Sequence, residues 1–84
     1  MTLRLPLGAV KTVGRTARAD FILDAPLVSR LHCRLTADES DQLVVEDLES
    51  TNGTLVNGKA VQRAVLRDGD TLGVGRVEFK VTRD

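Results

Sequence analysis

Turn-forming residues interrupt this sequence every several positions, and the apolar residues between them fall in short runs. Asp24-Ala25-Pro26, Asp38-Glu39-Ser40-Asp41, Asn57-Gly58, Arg67-Asp68-Gly69-Asp70 and Gly75-Arg76 are the clearest breaks. Between them, Val77, Phe79 and Val81 alternate with Glu78, Lys80 and Thr82, the period-two pattern of a half-buried strand. Leu3, Leu5 and Leu7 alternate in the same way, and Pro6 among them suits an edge strand. Lys11 to Val13, Leu43 to Leu48 and Thr71 to Val74 read as further strands, and Phe21-Ile22-Leu23 as a short buried one. The segment 27–35 is ambiguous. Leu27, Leu31 and Leu35 lie four apart, as on a helix face, whereas Leu31, Cys33 and Leu35 lie two apart, as on a strand. Many short strands with frequent turns predict an all-β sandwich or barrel, whose loops gather at the ends of the sheets.

The 84 residues suffice for a single domain, 1–84, with no room for a second core. The formal net charge is zero, so no global basic excess is present to drive generic binding to nucleic acid. Phe21 and Phe79 are the only aromatic residues, too few to stack single-stranded bases. No apolar run approaches the roughly 20 residues that span a bilayer, and the start of the chain lacks the apolar core of a signal peptide. Cys33 is the single cysteine, which excludes an internal disulfide and fits a reducing, cytoplasmic setting. It falls on the Leu31/Leu35 face and reads as a small buried hydrophobe. No metal-ligand cluster forms around it, and Gly73-Val74-Gly75 lacks the third glycine and following helix of a dinucleotide fingerprint. No metal or cofactor is expected.

Charge is unevenly placed. Arg4, Lys11, Arg15, Arg18, Arg30 and Arg34 face only Asp20 and Asp24 in the first part of the chain, whereas 38–49 is acidic and carries no base. Arginine, the planar fork suited to phosphate and carboxylate, dominates the basic residues. A second concentration of chemistry is Ser50-Thr51-Asn52-Gly53-Thr54-Leu55-Val56-Asn57-Gly58. Its first half has too little apolar surface to be core, and reads as a shaped loop leading into a short strand. Asn57-Gly58 is then a tight hairpin turn, because both residues tolerate positive φ. The hydroxyls of Ser50, Thr51 and Thr54 and the Asn52 amide suit hydrogen bonds to an oxyanion or a peptide backbone.

Gly14-Arg15, Ser29-Arg30-Leu31-His32 and Ser50-Thr51-Asn52-Gly53-Thr54 with Asn57-Gly58 follow one another in an order and spacing that resemble the forkhead-associated (FHA) domain. The resemblance runs from about Val13 to Val81, nearly the whole chain. It implies a β-sandwich of two antiparallel sheets with about 10–11 short strands, and makes Leu31 to Leu35 a strand with Ser29 in the loop before it. It also implies a function, the reading of phosphothreonine peptides by loops at one end, as part of a larger signalling or scaffold protein. Phosphothreonine brings a charge of about −1.5 to −2 and three acceptor oxygens. On this resemblance Arg15 supplies charge-assisted hydrogen bonds, Ser29 and Thr51 supply hydroxyl donors, and Arg30 adds charge or a backbone amide. Asn52 bonds the peptide main chain. His32, Gly14, Gly53, Asn57 and Gly58 support the loops, His32 by bracing them with hydrogen bonds. A methyl pocket would favour threonine over serine by about 1 kcal/mol. The family also reads the third residue after the phosphothreonine. Leu27 lies in the loop implicated in that choice and suggests an apolar or unselective preference.

Two other functions compete with this one. A sandwich of this size could assemble with a partner through a sheet face or edge, without dependence on phosphate. The retention of Arg15, Ser29 and Asn52 speaks for the phosphate reader. Ser29 and His32, with Asp47 as third member, would be the elements of a hydrolase. Such a relay needs direct hydrogen bonds between its members and a substrate pocket, for which a small sandwich offers little volume.

Overall fold

The computed structural model describes residues 8–38, 40 and 42–82. Among these, nine short strands form and no helix. They are β1 (Val10–Gly14), β2 (Phe21–Ile22), β3 (Cys33–Ala37), β4 (Leu43–Asp47), β5 (Thr54–Val56), β6 (Lys59–Val61), β7 (Arg63–Leu66), β8 (Thr71–Val74) and β9 (Val77–Lys80). They make a five-stranded sheet in the order β2-β1-β3-β4-β7 and a four-stranded sheet in the order β6-β5-β8-β9. The alternation at Leu3, Leu5 and Leu7 lies outside the described residues.

The two sheets pack through their inward-facing residues. In β3, Cys33, Leu35 and Ala37 are buried while Arg34 and Thr36 between them are not, the two-residue period of a one-sided strand. Val13 of β1 and Val45 of β4 flank this row. Leu72, Val74 and Phe79 close the core from the other sheet. Full burial of a side chain such as Leu35 stabilises by about 1.5–3 kcal/mol. On the outer face, Arg34 lies opposite Glu46, and the pair closes an ion pair at 3.1 Å. Both partners are partly exposed, so its contribution is about 0–1 kcal/mol.

Three details differ from the reading of the sequence. The strand expected at 31–35 is displaced to Cys33–Ala37, because the backbone at His32 leaves the regular ladder to carry its ring between two loops. The run at 21–23 is not uniformly buried: Leu23 is, but Ile22 on edge strand β2 is 58% exposed. The sheets are also not wholly antiparallel, since β1 and β2 run parallel, with Val13 opposite Phe21. Parallel neighbours ordinarily need a long crossover. Here a short loop suffices because Asp20 ties its end back to β1. Its carboxylate accepts from the Thr12 N–H at 2.9 Å, and its own N–H donates to Thr12 Oγ1 at 3.0 Å.

The turns follow their residues. Asn57 and Gly58 have φ of +52° and +81°, as a type I′ hairpin turn requires. Asp38 organises the β3–β4 connection, its Oδ1 accepting from the Ser40 N–H and hydroxyl and from the Gln42 N–H. That local bonding accounts for part of the acidic run in the sequence.

Antiparallel pairing fixes where the loops meet. The end of β1 lies beside the start of β3, and the start of β3 beside the end of β4. The loops after β1, before β3 and after β4 therefore open at one end of the sandwich. Asn57 and Gly58 lie at the other end of β5, where Asn57 Oδ1 accepts from the Thr71 N–H at 2.9 Å and its Nδ2 donates to Asp70.

A candidate anion site where three loops meet

The loops are bound to one another by their backbones as well as their side chains. Arg15 N–H donates to the Ser29 carbonyl at 3.0 Å, and His32 N–H to the Val13 carbonyl at 2.8 Å. Gly14 stands where these chains come closest: a Cβ built there would lie 2.1 Å from the Arg30 carbonyl oxygen. No side chain fits, so glycine at 14 is a packing requirement, and it sets Arg15 next to the Ser29–Arg30 segment.

His32 is fully buried and uses both ring nitrogens. The Gly53 carbonyl, 2.8 Å from Nε2, can only accept, so Nε2 carries the proton. Nδ1 is then the acceptor for the Ser29 N–H at 3.1 Å. The neutral ring thus rivets the loop before β3 to the loop after β4. Its expected bracing position is present in the geometry.

The loop after β4 is shaped from below by Asp47. Asp47 Oδ1 accepts from the Ser50 hydroxyl and, at 2.7 Å, from the buried Thr54 hydroxyl, and Oδ2 accepts from the Ser50 N–H at 3.2 Å. The Ser50 Oγ in turn accepts from the Gly53 N–H at 2.9 Å, with Gly53 at φ +85°. Burial works to raise the Asp47 carboxyl, but the hydrogen bonds from Ser50 and Thr54 outweigh it and hold the group below its usual range. The sequence reading gave Asp47 no such part. A Ser-His-Asp relay is not assembled: His32 Nδ1 meets the Ser29 backbone rather than its hydroxyl, and neither ring nitrogen bonds Asp47.

Above this frame lies a shallow groove of about 480 Å³. Arg15, Ser29, Arg30, Thr51 and Asn52, the residues singled out from the sequence, all line it. Ser29 Oγ accepts from the Thr51 N–H at 3.0 Å, which leaves its own proton free to donate. The guanidiniums of Arg15 and Arg30 and the Thr51 hydroxyl have no hydrogen-bond or ion-pair partner among the described residues. Asn52 Nδ2 donates to the Leu27 carbonyl at 3.1 Å, keeping its amide oxygen unused. Asn57 and Gly58 are not among these loops.

Leu27 and Glu49 also line the groove, and both have left-handed backbones, with φ of +70° and +55°. The Val28 N–H approaches the Ala25 carbonyl at 3.4 Å, so Pro26 and Leu27 occupy the centre of a turn of the type II pattern. Glycine is the usual residue at the position Leu27 takes. Packing holds the strain: a Cβ on Gly75 of the β8–β9 turn would meet Val28 at 2.9 Å and the Leu27 carbonyl carbon at 3.1 Å. Cys33, by contrast, does not line the groove; it is buried at the start of β3, and that burial pushes its thiol up to about 12.

Two guanidiniums without partners among the described residues, and two hydroxyls with protons left to donate, line one groove, a donor set of the kind that suits a compact oxyanion. The family model for the FHA domain matches residues 11–75. An ABC transporter ATP-binding/permease protein, Rv1747, of Mycobacterium tuberculosis is 37% identical over 79 residues, which is 94% of this chain. The chain spans only 9% of that relative's length. The crystal structure of the FHA domain of the CT664 protein of Chlamydia trachomatis superposes with a TM-score of 0.91 at 26% identity, covering 95% of this chain and 81% of that one. The structure of M. tuberculosis EmbR in complex with a low-affinity phosphopeptide gives 0.81 at 32% identity, covering 88% of this chain and 20% of that one. With the family model matching residues 11–75, well over half of its length, the chain belongs to the FHA domain family.

Proposed function

We propose that this chain is a non-enzymatic module that binds phosphothreonine in a partner protein, and so makes a protein–protein contact depend on phosphorylation. The observation that carries the reading is the set of unengaged donors in the groove: the guanidiniums of Arg15 and Arg30 and the hydroxyls of Ser29 and Thr51. Arg15 and Arg30 supply positive charge to a group carrying about −1.5 to −2, and the hydroxyls complete its three acceptor oxygens. Asn52 has a free amide oxygen and one free N–H for the peptide main chain. The apolar lining from Val28 and Leu31 would receive the threonine methyl. The EmbR complex supports this reading, since its bound molecule is a phosphopeptide.

The accompanying proposals are a single domain over 1–84 within a longer protein and a cytoplasmic setting. Phosphorylated protein is the partner, rather than nucleic acid or membrane. No helix among the described residues is long and apolar enough to cross a membrane. An oriented library of phosphothreonine peptides, with phosphoserine and unphosphorylated controls, tests the function. Retention of phosphothreonine peptides alone, or well above phosphoserine, is the expected result. Equal retention of unphosphorylated peptides would instead favour phosphate-independent assembly.

A further inference from the structure

Among the described residues Glu49 is the only acid lining the groove, and it stands there with Arg15, Arg30 and Thr51. It is exposed, and it has no hydrogen-bond or ion-pair partner among the described residues. Glu46 pairs with Arg34, and Asp20, Asp38, Asp47 and Asp70 each accept hydrogen bonds, whereas Asp24 and Glu78 are unengaged among the described residues as Glu49 is, but neither lines the groove. A carboxylate beside a phosphate site weakens the attraction that the guanidiniums provide. It also sits in a backbone conformation that costs a residue with a Cβ about 1–2 kcal/mol, and glycine nearly nothing. The position is rigid, because Asp47 binds Ser50 on the far side of Glu49 through both its hydroxyl and its N–H. Strain and an unfavourable charge thus meet on one solvent-facing side chain at the rim of the groove. Such outliers point to function when the surrounding structure enforces them.

We infer that Glu49 is a specificity-determining residue. It favours phosphothreonine peptides with a lysine or arginine close to the phosphorylated residue, and disfavours those with an acid there. The inference rests on the phosphothreonine reading. A peptide cation over Glu49 would cancel the one repulsive charge of the groove, whereas a peptide acid would double it. Screening limits the effect to about 8 Å at physiological salt, hence to about two extended residues on either side of the phosphothreonine.

The test uses phosphothreonine peptides with Lys, Ala or Glu at each flanking position, and unphosphorylated versions of each. Binding is measured for the wild-type chain, Glu49→Gln and Glu49→Lys, at low and high salt. At one flanking position the wild type should prefer Lys over Glu by about fivefold or more at low salt, the scale of exposed charge pairs. The ratio should fall toward unity in Glu49→Gln and invert in Glu49→Lys. Glu49→Gln should also bind the alanine-flanked peptide at least as tightly as wild type does. An unchanged Lys-to-Glu ratio across the three proteins, with phosphorylation still required, overturns the inference alone. Equal binding of the unphosphorylated peptides by the wild type overturns the phosphothreonine reading and this inference together.

Discussion

Replacing His32 by alanine is the most demanding perturbation of the loop frame. The ring is fully buried and joins the Ser29 N–H at 3.1 Å to the Gly53 carbonyl at 2.8 Å. Truncation leaves both backbone groups, which are partly buried, without their partner. Each unsatisfied group costs about 1–3 kcal/mol, and the empty ring volume adds a cavity cost that partial collapse reduces. A total destabilisation of about 3–5 kcal/mol follows, a large part of the stability of a small domain. The loops before β3 and after β4 lose their link at the same time. Affinity for a phosphothreonine peptide should therefore fall although His32 does not line the groove. Urea denaturation and calorimetric titration of the same preparation measure the two effects. A mutant within about 1 kcal/mol of wild-type stability and with wild-type affinity would refute the reasoning.

Three further perturbations separate packing, ligand contact and charge. Gly14→Ala places a methyl 2.1 Å from the Arg30 carbonyl, and should cost about 1–3 kcal/mol as overpacking, with weakened peptide binding, by denaturation and titration. Asn52→Ala removes the bond that caps the Leu27 carbonyl. It should lower affinity markedly and stability by only about 0.5–1.5 kcal/mol, and a calorimetric scan beside a titration separates the two. Acid should loosen the loop after β4. The folded Asp47 carboxyl lies below its ordinary value, burial being outweighed by its Ser50 and Thr54 bonds, so its stabilising contribution is complete above about pH 4. It is lost as pH falls through the lowered folded value, and Asp47→Asn should flatten the decline of the urea midpoint there.

Much of the site was legible because its chemistry is compressed into small polar residues that a core cannot use. Ser29, Thr51 and Asn52 stood out for that reason, and the structure brings all three to one groove with Arg15 and Arg30. The hairpin at Asn57-Gly58 was legible because few residue pairs accept two positive φ values. Its closeness in sequence to the binding loop misled, however: β5 intervenes and carries the turn to the opposite end. The left-handed Leu27 was hidden because leucine argues against the turn it occupies, and only the packing of Val28 and Gly75 reveals what holds it. Asp47 was obscure for another reason. Its partners, Ser50 and Thr54, are close in sequence, but the inward direction of its side chain depends on the β3–β4 register. The parallel β1–β2 pair depends likewise on the Thr12–Asp20 clasp, which no local pattern announces.

Titration calorimetry of one phosphothreonine peptide against the wild-type chain and Arg15→Ala addresses the shared clasp on the phosphate most directly. The Arg15 guanidinium has no partner of its own to lose among the described residues, so the substitution should leave the thermal transition in place. Loss of its charge-assisted hydrogen bond should weaken binding by about 1.5–3 kcal/mol, roughly tenfold to more than a hundredfold. Equal affinity of the two proteins for the phosphorylated peptide would contradict the account.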